Sequence, residues 1–343
     1  MIVVSNPELV QAENWRDAAA PAEATPVFLI HDGGGTTFAY HCLGPLGRSV
    51  YGIHNPYFRS GQVFNGGLPQ MARLYASWVK RTVAARGFPV KRRNGDGTVS
   101  VLLGGWSLGG LLSLEVARRL AGDPVVRVVG ILMVDSAFPG AAGGADRSLL
   151  ASAHLLDPAS WAAMVQGSKN DINSNNSNKS TINSSEPPRG AGDGPDPCPP
   201  DNDDDDGDDG DDGNGDCGSR QNVSAREKNL ALSRRCMANA VQMVARWDAP
   251  RWDGDLAGSR PRAILLRAKV PVPTPAGAPA LGLDRSRGER TLGWDAYAGG
   301  MFEEVLDVEG HHFEVFAPRY IDGISEAMRR ALDRLDAMAR GSG

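Results

Sequence analysis

A chain of 343 residues, 41% of them apolar, carries enough hydrophobic surface for one sizeable α/β domain with an insertion. The formal net charge of −5 hides a split: ten aspartates fall between Asp201 and Asp216, and the remainder sums to +5 without a basic stripe, which excludes a nucleic-acid surface. Cys42, Cys198, Cys217 and Cys236 have neither metal-ligand spacing nor the density of a disulfide scaffold, and the sequence offers no leader-like N-terminus and no membrane-length apolar run, so the expectation is a cytoplasmic protein with no membrane segment.

Taken in chain order, the apolar run Pro26 to His31 stops at Asp32-Gly33-Gly34-Gly35, the pattern of a buried strand entering a tight loop. A second strand, Val50 to Ile53, precedes a helix over Leu68 to Ala85, whose Met71, Leu74, Tyr75, Trp78 and Val79 recur at helical spacing. The unit repeats as strand Thr98 to Gly104 with helix Leu111 to Leu120, and strand Val125 to Val134 ends at Asp135. Arg262 to Leu266, Phe302 to Val308 and the helix Tyr320 to Ala339 close the chain. Strands alternating with helices imply a mostly parallel central sheet, with functional residues at the carboxyl ends of its strands.

Between Gly167 and Arg220 the composition turns to Asn, Ser, Gly, Pro and Asp, too polar to offset the entropy of ordering. The flanks Arg147 to Val165 and Arg226 to Trp247 read as amphipathic helices. The expectation is one catalytic domain over residues 1–343, with a helical lid over 140–253 that carries a disordered loop over 167–220. The aspartate run reads as a solvated spacer.

Gly105-Trp106-Ser107-Leu108-Gly109 matches Gly-x-Ser-x-Gly, and it stands where that motif needs to stand, between the strand Val99-Ser-Val-Leu-Leu and a helix. A serine on a sharp strand-to-helix turn needs small neighbours, and the helix that follows aims its N-terminus, and the Leu108 amide, at charge developing beside the serine. A hydroxyl attacks only when a base removes its proton. His311 and His312, after the last strand and Gly310, are the candidates. Asp135, ending the strand after the nucleophile, is the best candidate for the acid that orients the imidazole, with Asp284 and Asp295 as weaker alternatives. A second oxyanion donor is expected from the amide of Asp32 or Gly33 in the glycine-rich loop, which lacks the lysine of a phosphate-binding loop.

These residues resemble the thioesterases of polyketide and non-ribosomal peptide synthetases and their relative in animal fatty-acid synthase. Phe28-Leu-Ile-His-Asp-Gly-Gly-Gly-Thr-Thr is similar to that family's oxyanion loop, Gly104-Gly-Trp-Ser-Leu-Gly-Gly to its nucleophile turn, and Val134-Asp135-Ser136 to its early acid. Val308-Glu-Gly-His-His-Phe is similar to its Gly-x-His-Phe, which aligns His312 with the base. Leu292-Gly293-Trp294 also recurs in the family and argues against Asp295 as the acid. The resemblance implies an α/β-hydrolase fold and a Ser107, Asp135, His312 triad. It also implies a thioesterase that releases a polyketide, peptide or fatty acyl chain from the phosphopantetheine of an acyl or peptidyl carrier protein. The chain contains no carrier segment of its own, so it would act in trans, with no metal or cofactor. An esterase or lactonase acting on a free ester, or a catalytically silent binding module, are the competing readings.

Overall fold

The computed structural model describes residues 5–15, 24–91, 93–141, 217–275, 277 and 280–341. Its frame is a seven-stranded sheet in the order β1-β3-β2-β4-β5-β6-β7. The strands are β1 (Glu8–Gln11), β2 (Val27–Ile30), β3 (Val50–Ile53), β4 (Val99–Trp106), β5 (Val126–Val134), β6 (Arg262–Ala268) and β7 (Glu304–Val308). All neighbours run parallel except the edge pair β1–β3. The helices are α1 (Phe38–His41), α2 (Gly67–Ala84), α3 (Leu108–Leu120), α4 (Cys217–Ala245) and α5 (Ile321–Arg340). This is the α/β-hydrolase architecture that the sequence implied.

The two-residue period of a strand sorts the core onto two faces. Phe28, Ile30, Val101 and Leu103 turn to one face and pack with Leu68, Met71 and Tyr75 of α2 and Leu111 and Leu112 of α3. Val27, Leu29 and Leu102 turn to the other, against Tyr40 of α1 and Ile324, Met328, Leu332 and Leu335 of α5. Helices α2 and α5 bury residues at three- and four-residue intervals, the stripe expected of a helix lying on a sheet. Each such Leu, Ile or Met contributes about 1.5–3 kcal/mol by leaving water, so the two layers fix the sheet firmly.

The structure adds β1, which sequence reading missed. Its four residues pair antiparallel with β3, Glu8 opposite Gly52 and Leu9 opposite Tyr51, with a register irregularity before Gln11. A strand that short and irregular has no alternation long enough to read. Helix α4 begins at Cys217, so the stretch Cys217 to Arg220, assigned from composition to the polar loop, is helical. The expected lid helix Arg147 to Val165 and residues 167–216 of the loop lie outside the described residues. Among the described residues no helix is long and apolar enough to cross a membrane.

Candidate active site

Ser107 stands between the end of β4 and the head of α3 with φ 56° and ψ −116°, a left-handed conformation that costs an ordinary residue energy. Its amide donates to Val134 O at 2.8 Å, pinning the turn to the end of β5. Glycine is required on both sides. A Cβ on Gly105 would lie 2.6 Å from Ile30 O, and one on Gly109 would lie 2.2 Å from the same oxygen, so the backbone of β2 closes on the turn from behind. Leu108 opens the helix, where a backbone N–H has no partner in the preceding turn.

His312 lies in the loop after β7 and is almost wholly buried. Its Nε2 is 3.0 Å from Ser107 Oγ and its Nδ1 is 2.7 Å from Asp135 Oδ2. These contacts suit base chemistry in the tautomer whose Nδ1–H donates to the carboxylate, which turns Nε2 toward the serine hydroxyl. The Trp106 and Phe313 rings flank the imidazole, with centroids 5.5 and 4.9 Å away.

Asp135 ends β5 with φ 47°, held by its own amide to Leu266 O at 2.7 Å. Its carboxylate accepts from the Ala268 amide at 2.9 Å, from His312, and from both terminal nitrogens of Arg287. Burial alone would raise its pKa, but the hydrogen bonds from His312 and Arg287 and their charge prevail and hold the carboxyl well below the usual carboxylate range. Asp284 is buried but meets Arg287 rather than either histidine. Asp295 is exposed and accepts from Thr291 Oγ1 at 2.9 Å. His311 turns away, with Nε2 3.3 Å from Glu314 Oε2.

The loop after β2 is fastened from below. His31 is buried and reaches Asp32 O through Nδ1 at 2.6 Å and the Tyr75 hydroxyl of α2 through Nε2 at 2.7 Å. Burial pushes its pKa down to about 4, so the ring is neutral: Nδ1–H donates to the carbonyl and Nε2 accepts from the phenol. Asp32 O also accepts from Gly35 N at 3.1 Å. The Asp32–Gly33 peptide is trans, so with its carbonyl tied down on one side its N–H points to the other, and Gly33 lines the same cavity as Ser107 and Leu108. Burial pushes the Asp32 carboxyl up to about 6, against the pull of the Gly34 and Gly35 amides and of His312. Tyr40 completes the frame, donating its hydroxyl to Ile30 O at 2.7 Å and accepting from Trp106 N at 3.0 Å.

The three groups open on a cavity of about 150 Å³ whose walls are chiefly apolar, among them Leu111, Phe138, Leu283 and Phe313. Helix α4 forms one side through Met237, Ala240, Val241 and Val244. Met237 lies directly against the glycine-rich loop after β2: a Cβ on Gly33 would meet its sulfur at 2.5 Å. Beyond the end of α4, Trp247 Nε1 donates to buried Glu115 Oε1 of α3 at 2.8 Å, fixing that end of the segment to the core.

Sequence reasoning named the serine, the imidazole, the acid and the glycine loop, and the structure brings Ser107, His312, Asp135, Leu108 and Gly33 to one cavity. It missed Arg287, Tyr75 and Tyr40. Arg287 lies in the Pro- and Gly-rich stretch 270–290, where no periodicity flags a buried residue. Tyr75 was legible only as one apolar position of the α2 stripe. Leu292-Gly293-Trp294 proves to be a support: Leu292 O accepts from Phe138 N at 3.0 Å and Trp294 Nε1 donates to Ser136 O at 2.7 Å, bracing the chain that leaves Asp135.

Comparison with known proteins finds relatives named as thioesterases. The probable thioesterase BOA10 of Botryotinia fuckeliana is 28% identical over 335 residues, spanning 97% of this chain and 92% of that protein. The nonribosomal peptide synthetase imqB of Aspergillus flavus is 40% identical over 138 residues, which are 40% of this chain and 4% of the synthetase. Among solved structures, the NocB thioesterase domain in covalent complex with a fluorophosphonate nocardicin G analog aligns over 94% of this chain and 97% of that domain, at 20% identity and a TM-score of 0.49. No family model matches the chain.

Proposed function

We propose that this chain, which is similar over nearly its whole length to a probable thioesterase, is a thioesterase of the kind found in polyketide and non-ribosomal peptide synthesis and releases an acyl or peptidyl chain from the phosphopantetheine thioester of a carrier protein, through an acyl-enzyme on Ser107. Ser107 Oγ attacks the thioester carbonyl as His312 Nε2 takes its proton, and Asp135 stabilises the imidazolium that forms. The oxyanion accepts from the Leu108 and Gly33 amides; of the two loop donors, Asp32 and Gly33, the peptide orientation favours Gly33. Collapse expels the pantetheine thiolate, which takes the proton from His312. Water, or a hydroxyl of the acyl chain itself, then gives its proton to His312 and attacks the ester. The proton returns to Ser107 Oγ as the product leaves.

The observation that carries this reading is the unbroken line from Ser107 Oγ through His312 to Asp135, at 3.0 and 2.7 Å, opening on an apolar cavity suited to an acyl group. We further propose that α4 is the described part of a lid over 140–253, so that Met237 and Val241 contact the chain next to the thioester. The test pairs covalent labelling with turnover. A fluorophosphonate should modify the wild-type chain at Ser107 and leave Ser107→Ala unmodified, and an acyl-phosphopantetheinyl carrier should be cleaved faster than the matching aryl ester. Labelling that persists in Ser107→Ala overturns the nucleophile; a strong preference for the free ester overturns the carrier substrate.

A further inference from the structure

Arg287 is 8% exposed and spreads its guanidinium over the Asp135 carboxylate, Nη1 to Oδ1 at 2.5 Å and Nη2 to Oδ2 at 2.8 Å. Its remaining edge is also engaged: Nε donates to Asp284 Oδ1 at 2.8 Å, and Asp284 Oδ2 accepts from the Val272 amide at 2.7 Å. A carboxylate offers about four acceptor positions. On Asp135 they are met by the Ala268 amide, both arms of Arg287 and His312, so three of the four donors have nothing to do with the imidazole.

We propose that Arg287, backed by Asp284, is a positioning residue that locks the Asp135 carboxylate in the orientation that meets His312 and, as a permanent positive charge behind that carboxylate, tunes the acid limb of the reaction. The proposal rests on Ser107, His312 and Asp135 being the acyl-transfer machinery. A forked pair fixes the plane of a carboxylate as a single contact cannot. Its charge acts in the opposite sense to Asp135: when the imidazolium forms, Asp135 stabilises it and Arg287 opposes it. Asp284, on the far side of the guanidinium, offsets part of that opposition. The groups facing His312 are Ser107 at the head of α3, Asp135 at the end of β5, Asp32 after β2 and the adjacent His311; Arg287 and Asp284 act through Asp135. All four facing groups persist in variants at 284 and 287, so differences among those variants report on the clamp.

The experiment measures kcat and KM for an acyl thioester from pH 5 to 9 on the full chain and on Arg287→Met, Arg287→Lys and Asp284→Asn, with circular dichroism to verify folding. Removing the cation leaves the attraction of Asp135 for the imidazolium unopposed, so in Arg287→Met the acid limb of kcat/KM moves up by about one pH unit. Its plateau kcat falls on the order of 10–100-fold, with KM within about twofold. Arg287→Lys keeps the charge without the fork, so its acid limb stays near wild type while kcat remains low. Asp284→Asn keeps the fork but removes the offsetting negative charge, so its limb moves the other way, to lower pH. A merely structural residue would move none of these limbs. If Arg287→Met does not fold, the two conservative variants decide: wild-type kcat and an unmoved limb in both overturn the proposal. A wild-type chain that neither cleaves thioesters nor labels at Ser107 overturns the acyl-transfer reading and this proposal with it; normal wild-type turnover with unmoved variants overturns the proposal alone.

Discussion

Ser107 and Asp135 sit at the carboxyl ends of adjacent strands, both with the positive φ that residues with side chains rarely adopt, 56° and 47°, yet different forces keep them there. The Ser107 turn is enforced by close approach: glycines at 105 and 109 let the β2 backbone press against it, and no charge is involved. The Asp135 turn is enforced by donors, with the Ala268 amide, Arg287 and His312 converging on one carboxylate. Steric enforcement must be written locally, because only glycine fits, and so it leaves a motif in the sequence. Enforcement by donors draws on Ala268 and Arg287, 133 and 152 positions further along the chain, and those two partners leave no local motif.

The largest effect that sharpens this contrast is chemical. Ser107→Ala should lower thioester turnover by a factor on the order of 10⁵–10⁶ while the melting temperature stays near wild type, because the turn is held by its neighbours and not by the hydroxyl. Asp135→Asn should cost on the order of 10⁴ in kcat through the wrong imidazole tautomer, measured at saturating substrate; a loss below tenfold would mean that the acid lies elsewhere. Next, Gly109→Ala should destabilise by about 1–3 kcal/mol in denaturant melts, since the added carbon falls 2.2 Å from a carbonyl that cannot retreat. A Gly109→Ala variant of wild-type stability would break the steric half of the comparison.

Two carboxyls respond to pH with opposite sign. Asp32 has its pKa raised by burial to about 6, so its contribution to stability is present in acid and is lost as pH rises from about 4 through 6. Asp32→Asn should therefore gain about 1–3 kcal/mol relative to wild type at pH 8 and little at pH 4, read by denaturant melts at both. Asp135 is depressed by its donors, so its contribution holds above the usual carboxylate range and disappears only as pH falls below it. The smallest effect belongs to Tyr75→Phe, which removes one hydrogen bond to His31 and leaves the ring packing; about a tenfold fall in kcat with unchanged KM would mark a loosened oxyanion loop.

Legibility follows the same division. The centre of the parallel sheet could be read because β2, β4 and β5 hold apolar runs ended by a glycine or a polar turn, as at Gly33 and Asp135, and α2 and α5 because their buried positions recur every three or four residues. The edge strand β1 escaped because four residues cannot establish a period. Ser107 announced itself through its glycines. The separation of His312 from His311 came from family likeness, because nothing in two adjacent histidines says which one faces inward. Arg287 was invisible, and Asp284 was read only as a weaker candidate acid, for a different reason: they lie in an irregular loop whose proline and glycine content looks like surface, and a buried ion pair has no sequence period.

One shared hydroxyl has a consequence for how binding energy is used. The Tyr40 phenol joins the last carbonyl of the second strand to the amide of Trp106, so the glycine-rich loop and the Ser107 turn, the proposed oxyanion donor and nucleophile, are set at a fixed separation before any substrate arrives. On the proposed reading, an incoming thioester need not organise its own receptacle. The ordering is done once, when the chain folds, and under the proposed reaction the affinity of the acyl group is left free to select which chain is released.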